Sequence, residues 1–314
     1  MELQFIGTGA GMPSKMRNTS ATVLNLSAEG QGYWLFDCGE ATQHQILHTS
    51  LKPRKISKVF ITHLHGDHIF GLPGLIGSRS FLGGNEPLDI YGPVGLREWL
   101  ETTLRITNTH LNYELHIHEI EEGIVVEDDE FLVVANSLQH VIPCLGYRIE
   151  QKPLPGKLLI DKVKEAGVPN GPLLKQLKDG EDVTLEDGRI VRSHDVTGEP
   201  QDGFTVAILG DTSYCKAAVE LAQDADILVH EATFDMDTGN LAKEYGHSTI
   251  GDAARVAQEA GVTTLIANHI SARFLPSDVA KLRGQGEAIF STLHIAEDFA
   301  RFEWKNGAVI ECRS

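Results

Sequence analysis

The chain of 314 residues, with 41% hydrophobic content, is long enough for one large domain or two ordinary ones and apolar enough to bury a substantial core. A formal charge of −17 excludes an evenly basic surface for nucleic acid, although a basic segment or a bound metal ion can still act locally. No stretch approaches the roughly 20 unbroken apolar residues of a bilayer span, and Met1–Phe5 runs straight into Gly7, Gly9 and Gly11 without a basic-then-apolar leader, so a soluble, cytoplasmic protein with no membrane partner is expected. Short β-rich runs bounded by Gly, Pro, Asn or Asp come first, at 2–5, 22–26, 33–37, 58–61, 88–91, 131–134 and 145–149. Further strands are predicted at 205–209, 226–230 and 264–267, with helical patterns at 215–223 and 249–260. The alternation predicts an α/β layered fold.

Between Gln151 and His194 the character changes. Pro153, Pro155, Gly156, Gly167, Pro169, Gly171, Pro172 and Gly180 interrupt two short amphipathic runs, 158–166 and 173–178. Residues 151–180 hold six lysines, among them Lys157, Lys175 and Lys178, against three acids, a local excess of +3 in an acidic chain. The segment 151–194 reads as an arm inserted in a single domain spanning 1–314, either a contact surface or a solvated helical hairpin. Cys38, Cys144, Cys215 and Cys312 lie too far apart for a zinc knuckle or redox pair and read as small reduced thiols.

The strongest chemical signal is Thr62-His63-Leu64-His65-Gly66-Asp67-His68, directly after the strand Val59-Phe60-Ile61. Alternate residues of an extended segment point the same way, so His63 and His65 can bind one ion, while the turn at Gly66 redirects Asp67 and His68 toward a second. Two metals with room for a water need more donors than these four. His140, Asp211 and His269 each sit just past a predicted strand, where side chains from separate strands converge on one edge of a sheet. Taken alone, His140 or His269 reads as a satisfied loop histidine; beside the His-x-His-x-Asp-His run each reads as a ligand.

That run, followed by spaced His, Asp and His, resembles the metallo-β-lactamase superfamily over nearly the whole chain. The resemblance implies a four-layer αβ/βα sandwich with an inserted protruding arm and two Zn2+ ions per subunit at one edge. It implies His63, His65 and His140 on one ion, Asp67, His68 and His269 on the other, and Asp211 bridging. Within that superfamily, Phe5-Ile6-Gly7-Thr8-Gly9-Ala10-Gly11-Met12-Pro13, Phe36-Asp37-Cys38-Gly39-Glu40-Ala41-Thr42-Gln43, His230-Glu231-Ala232-Thr233, His247-Ser248-Thr249, Gly167-Val168-Pro169-Asn170-Gly171-Pro172 and Leu185-Glu186-Asp187-Gly188-Arg189 resemble the ribonuclease Z family of tRNA 3′-processing endonucleases. The implied partner is precursor tRNA, held by the arm, and the implied assembly is a homodimer in which one subunit's arm serves the other's site. Ser213 and Asn268 depart from the Arg and Thr common in relatives, without removing a ligand.

The resulting expectation is a two-metal endoribonuclease that removes 3′ trailers by attack of a metal-activated hydroxide after the discriminator base, leaving a 3′-hydroxyl on the tRNA. Asp67 orients or deprotonates the water, or serves as ligand only. His247 is the candidate acid for the departing oxygen, oriented by His230 and Glu231; otherwise it merely neighbours a helix cap. Arg273 is placed on the phosphate, with a structural salt bridge as its other reading. The competing enzyme reading is a small-molecule hydrolase of the same fold, an aryl sulfatase or cyclic-nucleotide phosphodiesterase; a non-catalytic RNA-binding module is the reading from another class.

Overall fold

The computed structural model describes residues 1–305 and 307–312. Two sheets organise it. One has eight strands, in the order Ala308–Cys312, Arg301–Lys305, Glu2–Gly7, Ala21–Leu26, Gly32–Phe36, Ile56–Phe60, Leu88–Gly92 and Leu115–Glu119. The other has seven, in the order Leu293–Ile295, Thr264–Asn268, Ile227–Glu231, Thr205–Leu209, Cys144–Gln151, Phe131–Leu138 and Gly123–Glu127.

The strands Thr205–Leu209, Ile227–Glu231 and Thr264–Asn268 run parallel, in register Val206 to Ile227 and Ile227 to Thr264. Their unbroken apolar runs follow from burial on both faces. One face meets the alanine-rich side of the helix Ile250–Ala260, where Ala253, Ala254, Ala257 and Ala260 are fully buried. Small side chains let that helix lie close to the sheet. Thr249 caps it reciprocally with Asp252, and Gly261 ends it at φ 68, a left-handed position that glycine takes without penalty.

Between the sheets an aromatic layer forms the inner core. Phe36 and Phe60 stack at 4.9 Å, and Tyr147 of the second sheet meets both edge-on, at 6.0 and 5.3 Å. Tyr147 satisfies its buried hydroxyl by donating to Ile61 O at 2.7 Å. Helices Thr42–Ile46, Leu72–Phe81 and Leu96–Ile106 cover the outer face of the first sheet through Ile46, Leu72, Leu75, Ile76, Leu96 and Leu100. Helix, sheet, sheet, helix is the four-layer α/β arrangement that the resemblance implies.

By packing, the chain separates into two units. Residues 1–126, 133–149 and those from Thr205 onward form the first; Glu127–Leu132 and Glu150–Phe204 form the second. The second carries helices Ile160–Glu165 and Pro172–Lys178, a two-stranded ribbon of Val183–Thr184 and Ile190–Val191, and a helical turn, Ser193–Val196. Its own small core includes Val163, Val168, Leu177, Val183, Val191 and Val196. Leu154 and Gln201 exchange backbone hydrogen bonds at 2.8 and 2.9 Å. Among the described residues, no helix is long and apolar enough to cross a membrane.

Candidate metal centre

The site is built where strands of both sheets end. His63, His65, Asp67 and His68 follow Ile56–Phe60; His140 follows Phe131–Leu138, Asp211 follows Thr205–Leu209 and His269 follows Thr264–Asn268. Leu145 N–H donates to Thr62 O at 2.9 Å, stitching the two strand ends together beside His63. The seven candidate ligands converge in two groups, His63, His65, His140 and Asp211 in one and Asp67, His68 and His269 in another, and a third group of Asp211, His247 and His269 overlaps both; within each the ligand atoms lie within 4.8 Å of one another. Asp211 Oδ2 lies 3.7 Å from His63 Nε2 and 3.5 Å from both His68 Nε2 and His269 Nε2, between the two groups.

The surroundings fix which nitrogen four of the five rings offer. His140 Nδ1–H donates to Gly246 O at 2.8 Å, and a carbonyl can only accept. His68 Nδ1–H donates to Asp37 Oδ2 at 2.7 Å. Thr62 Oγ1 gives its proton to Asp37 at 2.9 Å and so accepts from His63 Nδ1 at 3.0 Å; Thr233 Oγ1 gives its proton to Glu231 at 2.7 Å and accepts from His269 Nδ1 at 3.0 Å. Four imidazoles therefore turn their Nε2 atoms inward, each a lone pair when the ring is neutral. His68 Nε2 and His269 Nε2 stand 3.2 Å apart, facing each other beside two carboxylates. Such a donor set fits a divalent cation, and without one a proton must stand among the facing groups.

The electrostatics agree. Burial opposes ionisation of Asp211, yet the charges of His269, His68 and His63 hold its carboxyl well below the usual range. Burial likewise opposes Asp67, and hydrogen bonds from His269 and His68 outweigh it. Burial alone would lower His68, but Asp211 and Asp37 raise it well above an ordinary imidazole, while burial and His68 depress His63. The pocket favours positive charge at its centre. Asp37 and His269 both hold positive φ, 57° and 55°, a strained backbone that persists where surrounding contacts over-determine it.

Beside the ligands stands a second constellation. His247 Nδ1–H donates to Glu231 Oε1 at 2.8 Å, and His247 Nδ1 lies 3.8 Å from Asp211 Oδ2. Burial works against a charged His247, but the hydrogen bond and charge of Glu231 push it up to about 9. Thr249, not His247, caps the following helix. His230 corrects the sequence reading. Alternation along Ile227–Glu231 turns it to the opposite face from Glu231, where its Nδ1–H donates to Glu231 O at 2.7 Å and its Nε2 has no partner among the described residues. It does not orient His247.

Arg273 is exposed, with its guanidinium over the Phe234 ring at 4.6 Å and Nε–H donating to Ser271 Oγ at 3.1 Å. No carboxylate pairs with it among the described residues, which removes the structural salt bridge. Lys157, Lys175 and Lys178 are exposed in the second unit. Ser213 donates its N–H to Gln139 O at 2.8 Å, and Asn268 stands in register with Glu231; neither offers a ligand to the cluster. Sequence reasoning gives no role to Asp37, Thr62, Thr233 or Gly11, whose N–H donates to Asp67 Oδ2 at 2.8 Å. Asp37, at a strand end like Asp211, carried the one signal that pointed to it.

Comparison with known proteins gives a consistent picture. The family described as Anti-Pycsar protein Apyc1 matches residues 1–142, under half of the chain. A ribonuclease Z of Bacillus thuringiensis is 55% identical over 303 residues, covering 96% of this chain and 99% of that protein. The crystal structure of human tRNase Z, short form, is 31% identical with a TM-score of 0.71, covering 96% of this chain and 99% of the human one. The metallo-β-lactamase fold protein YhfI of Bacillus subtilis, at 21% identity and a TM-score of 0.67, shares the fold over 96% of this chain and 98% of its own.

Proposed function

The chain belongs to the ribonuclease Z family, and from that membership we propose that it is a zinc-dependent endoribonuclease that removes 3′ trailers from precursor tRNA in the cytoplasm. The observation that carries this reading is the set of inward-facing lone pairs on His63, His68, His140 and His269 around Asp67 and Asp211. His63, His65 and His140 would hold one ion, Asp67, His68 and His269 the other, and Asp211 would serve both. When bound, two zinc ions would supply Lewis acidity at the phosphoryl group and would lower the pKa of water toward about 7.

The side chains do the rest. Asp67 orients the attacking water and accepts its proton. His247, kept charged by Glu231, donates a proton to the departing O3′, so that the tRNA leaves with a 3′-hydroxyl. Thr233 ties this acid to the ligands: its hydroxyl bridges Glu231 and the ring of His269. Arg273, free of any carboxylate among the described residues, is available to phosphate. The exposed Lys157, Lys175 and Lys178 offer the second unit's charge to the tRNA body, which we take to be the role of the inserted segment 151–194. The four free cysteines suit a reducing compartment. A homodimer completes the proposal, and exposed apolar side chains such as Phe81, 91% exposed, and Leu47, 71% exposed, suit a subunit contact.

The direct test is to map the cut. Purified, metal-replete protein is incubated with a trailer-bearing precursor, and both product ends are sequenced and typed. A single cut after the discriminator base, with 3′-hydroxyl and 5′-phosphate ends, is expected. An intact precursor, or cuts scattered through the tRNA body, would overturn the proposal.

A further inference from the structure

The loop after the first strand is fastened more firmly than a surface connection requires. Asp298, three residues beyond the strand Leu293–Ile295, accepts Thr8 N–H at 3.0 Å and Thr8 Oγ1–H at 2.6 Å on one carboxylate oxygen. Its other oxygen accepts Asn18 N–H at 2.7 Å and a Gln45 Nε2 proton at 3.0 Å. Thr8 and Asn18 are the two ends of one loop, and Gly9 N–H closes it on Asn18 O at 2.7 Å. Arg17 braces the same base, its guanidinium donating to Thr8 Oγ1 at 2.7 Å and to Ala296 O.

From this base the loop reaches the metal centre at two points. Gly9–Ala10 pairs with Ile270–Ser271, directly after His269. Gly11 stands at φ 71 in open space, where a Cβ would meet nothing, so glycine is required there by the backbone and not by crowding. That turn aims Gly11 N–H at Asp67 Oδ2, 2.8 Å away. Asp67 Oδ2 also meets the rings of His68 and His269 at 3.5 and 3.3 Å, so among the described residues this amide is its one short hydrogen bond to the backbone. A carboxylate turns about a broad terminal torsion unless something holds it.

We propose that Asp298 is a positioning residue for the reaction: by pinning both ends of the Thr8–Asn18 loop it keeps Gly11 N–H on Asp67 and so fixes the orientation of that carboxylate. The inference rests on the reading of Asp67 as a group that holds metal and acts on water. Asp298 itself makes no hydrogen bond or ion pair with a candidate ligand among the described residues and acts through the loop alone.

Asp298→Asn keeps the side-chain size but turns an NH2 group toward two donors, Asn18 N–H and Gln45, or toward Thr8. In the full-length, zinc-loaded protein it should lower kcat on precursor tRNA roughly 10–100-fold, the usual cost of an outer-shell change, with a smaller change in KM. Chelator competition should show weaker retention of one ion. Thr8→Val, which removes one hydroxyl from the network and leaves the backbone intact, should move both readouts the same way by less, and it stands in if Asp298→Asn does not fold. The decisive arm is the Asp67→Ala background, where Asp298→Asn should cost nothing further in ion retention or residual rate. Wild-type kcat and ion retention in a folded Asp298→Asn protein, or an equal loss in the Asp67→Ala background, would overturn the inference. If the wild type fails on precursor tRNA, the functional proposal falls, while ion retention across the same five proteins still decides this one.

Discussion

His68 and His269 aim their Nε2 atoms at each other across 3.2 Å while each gives its Nδ1 proton to an acceptor behind it, Asp37 for one and Thr233 for the other. At this scale the chemistry is set by pairs: a ligand and the group that fixes its tautomer, and an acid and the group that keeps it charged. We assign His247 and Glu231, joined by a hydrogen bond, to the second kind of pair. Replacing His247 with Ala should lower kcat on precursor tRNA by about 10²–10⁴, the range for one general acid. A phosphodiester with a p-nitrophenolate leaving group needs no such proton, and on it the same variant should lose far less. Equal losses on both substrates would place His247 outside proton transfer. The His63–His68 run was legible in the sequence because all four donors fall in one short segment. Asp37 and Thr233 were not, because nothing local marks a carboxylate or hydroxyl as partner to a ring that arrives from another strand. His230 misled for the opposite reason: its neighbour Glu231 points into the site, and one step along a strand reverses the face.

Strands end at the site and helices hold those ends in place. The buried parallel strands announced themselves as apolar runs with strand-end Asp or His, and the helix Ile250–Ala260 by its cap, small buried face and terminal glycine. The helix Leu72–Phe81 escaped prediction, since Pro73, Gly74 and Gly77 break the usual helical signature and its burial against the first sheet supplies what propensity lacks. The edge strand Leu115–Glu119 escaped too, because only Ile117 of its five residues is buried and His116 and His118 face outward onto Asp89. Helix capping makes a prediction at this scale. Thr249→Ala removes the side chain that accepts Asp252 N–H at 3.1 Å and donates to Asp252 at 2.7 Å. It should cost about 1 kcal/mol and lower the thermal midpoint by about 2–4 °C. An unchanged midpoint would show that tertiary packing alone fixes this helix start.

Across the whole molecule, the proposed function has an acidic chain handle a polyanion by placing positive charge where it is used. A metal centre would supply it at the scissile bond, and we assign the lysines of the second unit to the tRNA body. The exchange of hydrogen bonds between Leu154 and Gln201 gives a place to cut: replacing residues 155–200 with a short Gly-rich turn removes the small core of Val163, Leu177 and Val191 as a whole. The shortened protein should still hydrolyse a small activated phosphodiester, while KM for precursor tRNA rises about tenfold or more as phosphate contacts are lost. Turnover of precursor tRNA undiminished by the excision would favour a small-substrate hydrolase built on the same fold. The layered α/β class was readable from periodicity and the metal cluster from spacing, whereas the convergence of the two sheets on one edge is a property of the folded chain. The claim on which the rest depends is that the converging lone pairs hold two ions that cleavage requires. The measurement is a zinc titration of metal-stripped protein, with bound zinc and precursor-tRNA cleavage followed in the same samples. Activity absent at the start and rising to a plateau at two bound ions per chain is the predicted result; cleavage by the stripped protein, or a chain that binds no zinc, would contradict it.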